Sequence, residues 1–193
     1  MSGKIHDKGF MVLTGYLKGK YGYDKPLSLS ASISFEQSYS EVDGDSASSA
    51  ELCALLSAIS ELPLAQGIGI TGAVNQNGDI QAIGSATQKI EGFFDICKSR
   101  GLTNGQGVII PRDNLKHLAL NDEVTEAVEA GSFHIYGVST VDEGIEVLTG
   151  VPAGEWLEEK GYPDGTVHSK VEQRLRDMAR AARRFSRSMQ NGS

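Results

Sequence analysis

Cysteine is scarce: Cys53 and Cys97 are the only two in 193 residues. Two cannot make a disulfide framework, so stability has to come from apolar burial, and both thiols are expected to be reduced core residues. Long apolar runs are missing too. No stretch approaches the roughly 20 residues that a membrane helix needs. The N-terminus, Met1-Ser2-Gly3-Lys4-Ile5-His6-Asp7-Lys8, lacks the apolar centre of a signal peptide, which places the protein in the cytoplasm with no membrane partner. The four histidines, His6, His117, His134 and His168, have no metal-ligand spacing. Gly15 to Gly22 contains glycines and lysines but misses GxxxxGK[ST], so the chain is expected to have no nucleotide-binding loop, no cofactor and no ATPase of its own. An excess of basic charge is also absent. The net charge of −7 argues against general nucleic-acid affinity, which leans on accumulated Lys and Arg.

What is present suits one domain with an appended tail. Hydrophobic content of 39% with 22% charged residues is ordinary for a soluble chain, and the length suffices for a real core. The charge is uneven. Lys170, Arg174, Arg176, Arg180, Arg183, Arg184 and Arg187 crowd an expected helix after the Gly/Pro-punctuated segment from Gly150 to Gly165. Residues 1–150 are therefore expected to form the main domain and residues 151–193 a C-terminal extension with a basic helix.

Periodicity gives the elements. Leu27, Leu29, Ala31, Ile33 and Phe35 alternate with serines, a period of two that predicts a strand, and Phe10 to Leu17 is expected to be a strand before it. After Ser46, the residues Ala47, Ala50, Leu52, Cys53, Leu56 and Ile59 are apolar nearly all round a helical wheel, which predicts a buried helix with Ser46 as its cap. Gly67–Val74 and Asp79–Ile83 flank Asn75-Gln76-Asn77-Gly78, a hairpin signal. Ser85 and Gln88 have capping-box spacing, Ile90, Phe93, Phe94 and Cys97 make an apolar stripe, and Gly101 is the expected stop. Val108–Ile110 and Phe133–Val138 are expected strands, and Thr140–Leu148 an expected helix. The mixture predicts an α+β (mixed α/β) fold rather than a purely parallel wound sheet.

Two residues carry the candidate chemistry. Ser46 sits in Gly44-Asp45-Ser46-Ala47-Ser48 at the head of the buried helix, and Lys89 follows in the first turns of the next. A hydroxyl at a helix start lies near unpaired N–H groups, the place for an oxyanion pocket. A lysine can deprotonate that hydroxyl only when neutral, which requires burial to bring its pKa down from about 10.4. A Ser-Lys dyad is a variant of the serine triad.

Both strings and their spacing resemble the proteolytic domain of the Lon family, in the branch whose serine motif reads GDSAS. The likeness covers roughly residues 10 to 150 and includes Thr71-Gly72, Gly78-Asp79-Ile80-Gln81-Ala82-Ile83-Gly84 and Val108-Ile109-Ile110-Pro111. It implies a fold like that of ribosomal protein S5 domain 2 and a serine endopeptidase acting on unfolded polypeptide. Ser46 would be the nucleophile, Lys89 the general base, and Thr71 a hydrogen-bond partner of the lysine amine. Asp45 matches the acidic residue before the serine in this branch, placed to tune or partly block the lysine, and Glu36 resembles a glutamate upstream of the family serine. The resemblance also implies a hexameric ring and an ATP-driven AAA+ module, N-terminal on a longer polypeptide, with ATP bound there and not in this chain. A second reading is a catalytically silent module of the same fold that contacts RNA or protein partners.

Overall fold

The computed structural model describes residues 4–22, 26–35 and 44–191. It opens with helix α1, Lys4–Tyr21, where a strand was expected over Phe10–Leu17. Leu13, Tyr16, Leu17 and Tyr21 are the buried positions, and steps of three, one and four put all of them on one face of a helix, which overturns the strand. The alternating segment 26–35 adopts neither helix nor strand. Leu27, Leu29 and Ile33 still pack against the core, so the alternation reports a chain with one side on the body. Alternation supplies the faces of a strand but not the neighbour whose hydrogen bonds make one.

The expected buried helix is α2, Ser48–Ser60, with Leu52 and Leu56 fully enclosed. Strand β1, Ile68–Ile70, leads into a hairpin of β2, Ala73–Val74, and β3, Ile80–Gln81, across the Asn75–Gly78 turn. Gly78 has φ +91°, and a Cβ there would lie 2.8 Å from the Tyr16 ring, so glycine is needed both for the turn and for the approach of α1. Next come α3, Ala86–Ser99; β4, Gly107–Pro111; a 3₁₀ turn over Arg112–His117; α4, Asp122–Glu129; β5, His134–Val138; and α5, Val141–Thr149. The chain closes with α6, Val167–Asn191.

Strands β1, β4 and β5 form a parallel sheet with β4 in the centre, and the antiparallel hairpin is separate, so the fold is mixed α+β. The buried residues of β4 face both ways. Ile109 joins a core with residues of α1, α2, α5 and α6, whereas Val108 and Ile110 join a second core with Ile90 and Phe94 of α3, Val124 of α4 and Phe133. Helices therefore cover both faces of the sheet. This brings the end of β1 between the start of α2 and the start of α3.

Candidate active site

Ser46 lies two residues before α2, in a turn fastened to the strand beside it. Its carbonyl accepts hydrogen bonds from Gly72 N–H (2.8 Å) and from the Thr71 hydroxyl (3.1 Å), while Ser49 N–H donates to Gly72 C=O (3.1 Å). Ser48, almost fully buried, adds a third tie: its hydroxyl donates to Asp45 C=O (2.7 Å) and accepts from Val74 N–H (2.9 Å). Gly72 is tightly enclosed, since a Cβ there would come within 2.6 Å of Ile80 Cγ2.

The cap position of α2 is Ala47, and no side chain caps the helix, so Ser46 is not the cap that the sequence suggests. Its hydroxyl is used elsewhere. Lys89 Nζ donates to Ser46 Oγ at 2.8 Å and reaches Thr71 Oγ1 at 3.3 Å. The Thr71 hydroxyl proton points at the Ser46 carbonyl, which leaves an oxygen lone pair to accept from the lysine amine. The three residues thus form a closed set from three elements.

The start of α3 also differs from expectation. Ser85 has φ 57°, in the left-handed region, and makes no side-chain cap, so the Ser85/Gln88 capping box does not form. A capping box needs an extended backbone at the cap, and the left-handed residue instead turns the chain sharply from β3 into α3. Ile90 and Phe94 anchor the helix in the second core, which directs Lys89 along the flank of that stripe toward Ser46. Burial lowers the Lys89 pKa from its ordinary value, although the side chain remains exposed on its outer side.

Asp45 makes no ion pair with Lys89; its side chain lines a hollow with Val12, Val74 and Gln76. Glu36 lies outside the described residues. Two of the helix-start donors expected for an oxyanion pocket are committed internally, Ser48 N–H to Asp45 C=O and Ser49 N–H to Gly72 C=O. Among the described residues, the N–H groups of Ser46 and Ala47 make no hydrogen bond. Cys53, on the same helix, is buried and its thiol is pushed up to about 12, by burial first and then by the charge of Asp142, so it is an inert core residue. Among the described residues no group of His, Cys, Asp or Glu is arranged to hold a metal.

Comparison with known proteins agrees with this arrangement. Residues 33–150 match the Lon protease (S16) C-terminal proteolytic domain. The chain belongs to that family. It is 50% identical over 148 residues to a putative Lon protease homolog of Escherichia coli and 47% identical over 150 residues to one of Haemophilus influenzae, with 77% and 78% of this chain aligned. An archaeal Lon protease of Thermococcus kodakarensis is 35% identical over 115 residues, 60% of this chain. The chain spans about a quarter of the length of the two bacterial relatives and 16% of the archaeal one. The Lon match ends at Gly150, so α6 lies beyond it, as does α1 at the other end.

Ser48 and Gly72 escaped sequence reasoning. Ser48 carries a weak signal as the last residue of GDSAS, where a second small polar residue must face the strand once the first faces the lysine. Gly72 is adjacent to Thr71, but nothing in the sequence reveals that Ile80 will close over it.

Proposed function

We propose that the chain is the peptidase unit of an ATP-dependent Lon-like protease and cleaves unfolded polypeptide as a serine endopeptidase. The observation that carries this reading is the 2.8 Å contact between Lys89 Nζ and Ser46 Oγ, with Thr71 beside both. In the reactive form the amine is neutral and accepts the Ser46 O–H proton, and Oγ attacks the scissile carbonyl. The oxyanion is held by the N–H groups of Ser46 and Ala47, the donors left free at this turn. Lys89 then returns the proton to the leaving amine, and water, activated by the same lysine, hydrolyses the acyl-enzyme. A substrate strand lying over the cleft displaces water from the exposed side of Lys89 and lowers its pKa further, which favours the neutral base when the site is filled. Unfolding of substrates and assembly into a ring fall to an AAA+ module on the longer polypeptide, because this chain holds no phosphate-cradling loop.

A fluorophosphonate probe and an unstructured fluorogenic peptide test the reading. The wild type is expected to be labelled at Ser46 and to cleave the peptide with or without ATP. Ser46→Ala, Lys89→Gln and Lys89→Arg each abolish turnover, the last because a guanidinium does not deprotonate near neutral pH. The Ser46/Lys89 double variant is little worse than either single one, since the two act as a unit. Failure of the probe to label a folded wild-type chain would favour the silent binding module.

A further inference from the structure

Along α6, Val171, Leu175, Met178, Ala182, Phe185 and Met189 recur at intervals of four and three, an apolar seam that suits packing along the whole helix. Val171 and Leu175 are buried in the core shared with α2, whereas Phe185 and Met189 are 68% and 64% exposed. The exposed part is flanked by Ala179, Ala181, Ser186 and Ser188, small uncharged residues that let another surface come close. Arg183, Arg184 and Arg187 lie on the other side of the helix and form no ion pair among the described residues.

A surface of matching character lies at residues 155–159. Glu155, Trp156, Leu157, Glu158 and Glu159 are all exposed, and the three glutamates form no ion pair among the described residues. The two surfaces cannot meet within one molecule. Trp156 and Glu158 line a hollow with Gln173 and Arg176 in the first half of α6. Phe185 is a further twelve residues along a continuous helix, about 18 Å away at 1.5 Å per residue.

We infer that the distal half of α6 docks on the 155–159 turn of a second copy of this chain. Its apolar seam packs on Trp156 and Leu157, and the long arginine stems reach round to Glu155, Glu158 and Glu159. Charge selects this occupant. Residues 167–193 hold seven basic side chains against two acidic, so the rest of the chain is more acidic than the net −7 of the whole. A second copy therefore attracts the helix, whereas a nucleic acid or an anionic lipid surface would repel the body that the helix belongs to. The contact joins two different patches and closes either as a reciprocal pair or as a ring. It lies on elements other than those bearing Ser46 and Lys89 and does not rest on the hydrolytic reading.

Sedimentation of the whole chain over a range of concentration and salt tests the contact. Association is expected at micromolar protein and low salt, weakening as salt screens the charges. Phe185→Asp, the triple Arg183→Glu/Arg184→Glu/Arg187→Glu and the triple Glu155→Lys/Glu158→Lys/Glu159→Lys should each weaken it at least about tenfold, by loss of the seam or of charge attraction. The chain carrying both triples should recover to within about threefold of wild type, which a merely damaged fold could not do. All of these sites are exposed, and far-UV circular dichroism verifies that each variant is folded. A monomer at every concentration, an association indifferent to the triples, or one removed by nuclease or replaced by binding to anionic vesicles would overturn the inference. Ser46→Ala should associate as wild type does, so a dead peptidase that still obeys the charge swap would sink the hydrolytic reading and leave this one standing.

Discussion

At the scale of single residues, the site depends on which group of Ser46 is held and which is left free. Its carbonyl is fixed by Gly72 and Thr71 and its hydroxyl is offered to Lys89, so the backbone is fixed without spending the reactive oxygen. The proposed base then sets a pH dependence. Because burial lowers the Lys89 pKa, the neutral amine becomes abundant below the pH at which a free lysine deprotonates, and activity should rise toward alkaline pH with a midpoint under 10.5. A rate profile flat from about pH 6 to 10 would count against a lysine base of this kind. Ser48 makes a separate prediction. Ser48→Ala strands a buried N–H of Val74 and a C=O of Asp45, costing about 1–3 kcal/mol in stability, and it releases the turn that carries Ser46. A displacement of 1 Å at a reacting atom can cost about 10²-fold in rate, so kcat for the peptide should fall far more than the melting temperature. Equal activity in Ser48→Ala and wild type would show that the turn holds itself.

At the scale of elements, the hairpin and the two helices that meet it decide the geometry. Gly78→Ala tests the hairpin directly: the left-handed φ and the 2.8 Å approach to Tyr16 both oppose a methyl group. A loss of about 1–3 kcal/mol, read by chemical denaturation, is the expected result of strain at such a position. The elements legible from sequence were those whose signals are local. The Asn75–Gly78 turn, the buried helix after Ser46 and the stripe of Ile90, Phe94 and Cys97 each announce themselves within a dozen residues, and GDSAS with Lys89 pointed to the site by resemblance. The parts that were not legible depend on distant partners. Phe10–Leu17 has enough apolar residues for either period, and only burial of Tyr16 and Tyr21 against the far end of the chain settles it as helix. Residues 26–35 alternate as a strand should, yet alternation cannot reveal whether a neighbouring strand is available. The left-handed Ser85 likewise follows from the angle between β3 and α3, which no capping rule contains.

At the scale of the whole molecule, α1, α5 and α6 are joined by a buried polar network well away from the dyad. His168, fully buried, accepts a hydrogen bond at Nδ1 from the Tyr21 hydroxyl (2.5 Å) and donates from Nε2 to Asp142 (2.9 Å), which also pairs with Lys20 (2.8 Å). Burial lowers the His168 pKa against the opposing pull of Asp142; burial alone would raise the Asp142 carboxyl, but His168 and Lys20 outweigh it and hold it at about 2. Both shifts carry the same sign for stability. The unfolded chain takes up a proton at His168 near pH 6.5 and at Asp142 near 3.9, before the folded chain does, so stability falls as pH drops through those values. The melting temperature should therefore decline on acidification from pH 7 to 5, and His168→Asn should flatten that limb even while it lowers the temperature throughout. An unchanged slope would remove His168 as the cause. A chain ending at residue 150 should be markedly less stable, because Val167, Val171 and Leu175 leave the core they share with Leu52 and Leu56. The same network orders events in time. The Ser46–Lys89 contact closes 43 residues of chain and the Tyr21–His168 contact closes 147. By loop-closure entropy the longer one costs about 1 kcal/mol more to bring together. During refolding the dyad should therefore be ready for the serine probe before the two ends of the chain are clasped. The protein carries its own clock for this: Trp156, its single tryptophan, packs edge-on against Tyr162, which packs in turn against His168, so recovery of tryptophan fluorescence should lag behind labelling at Ser46.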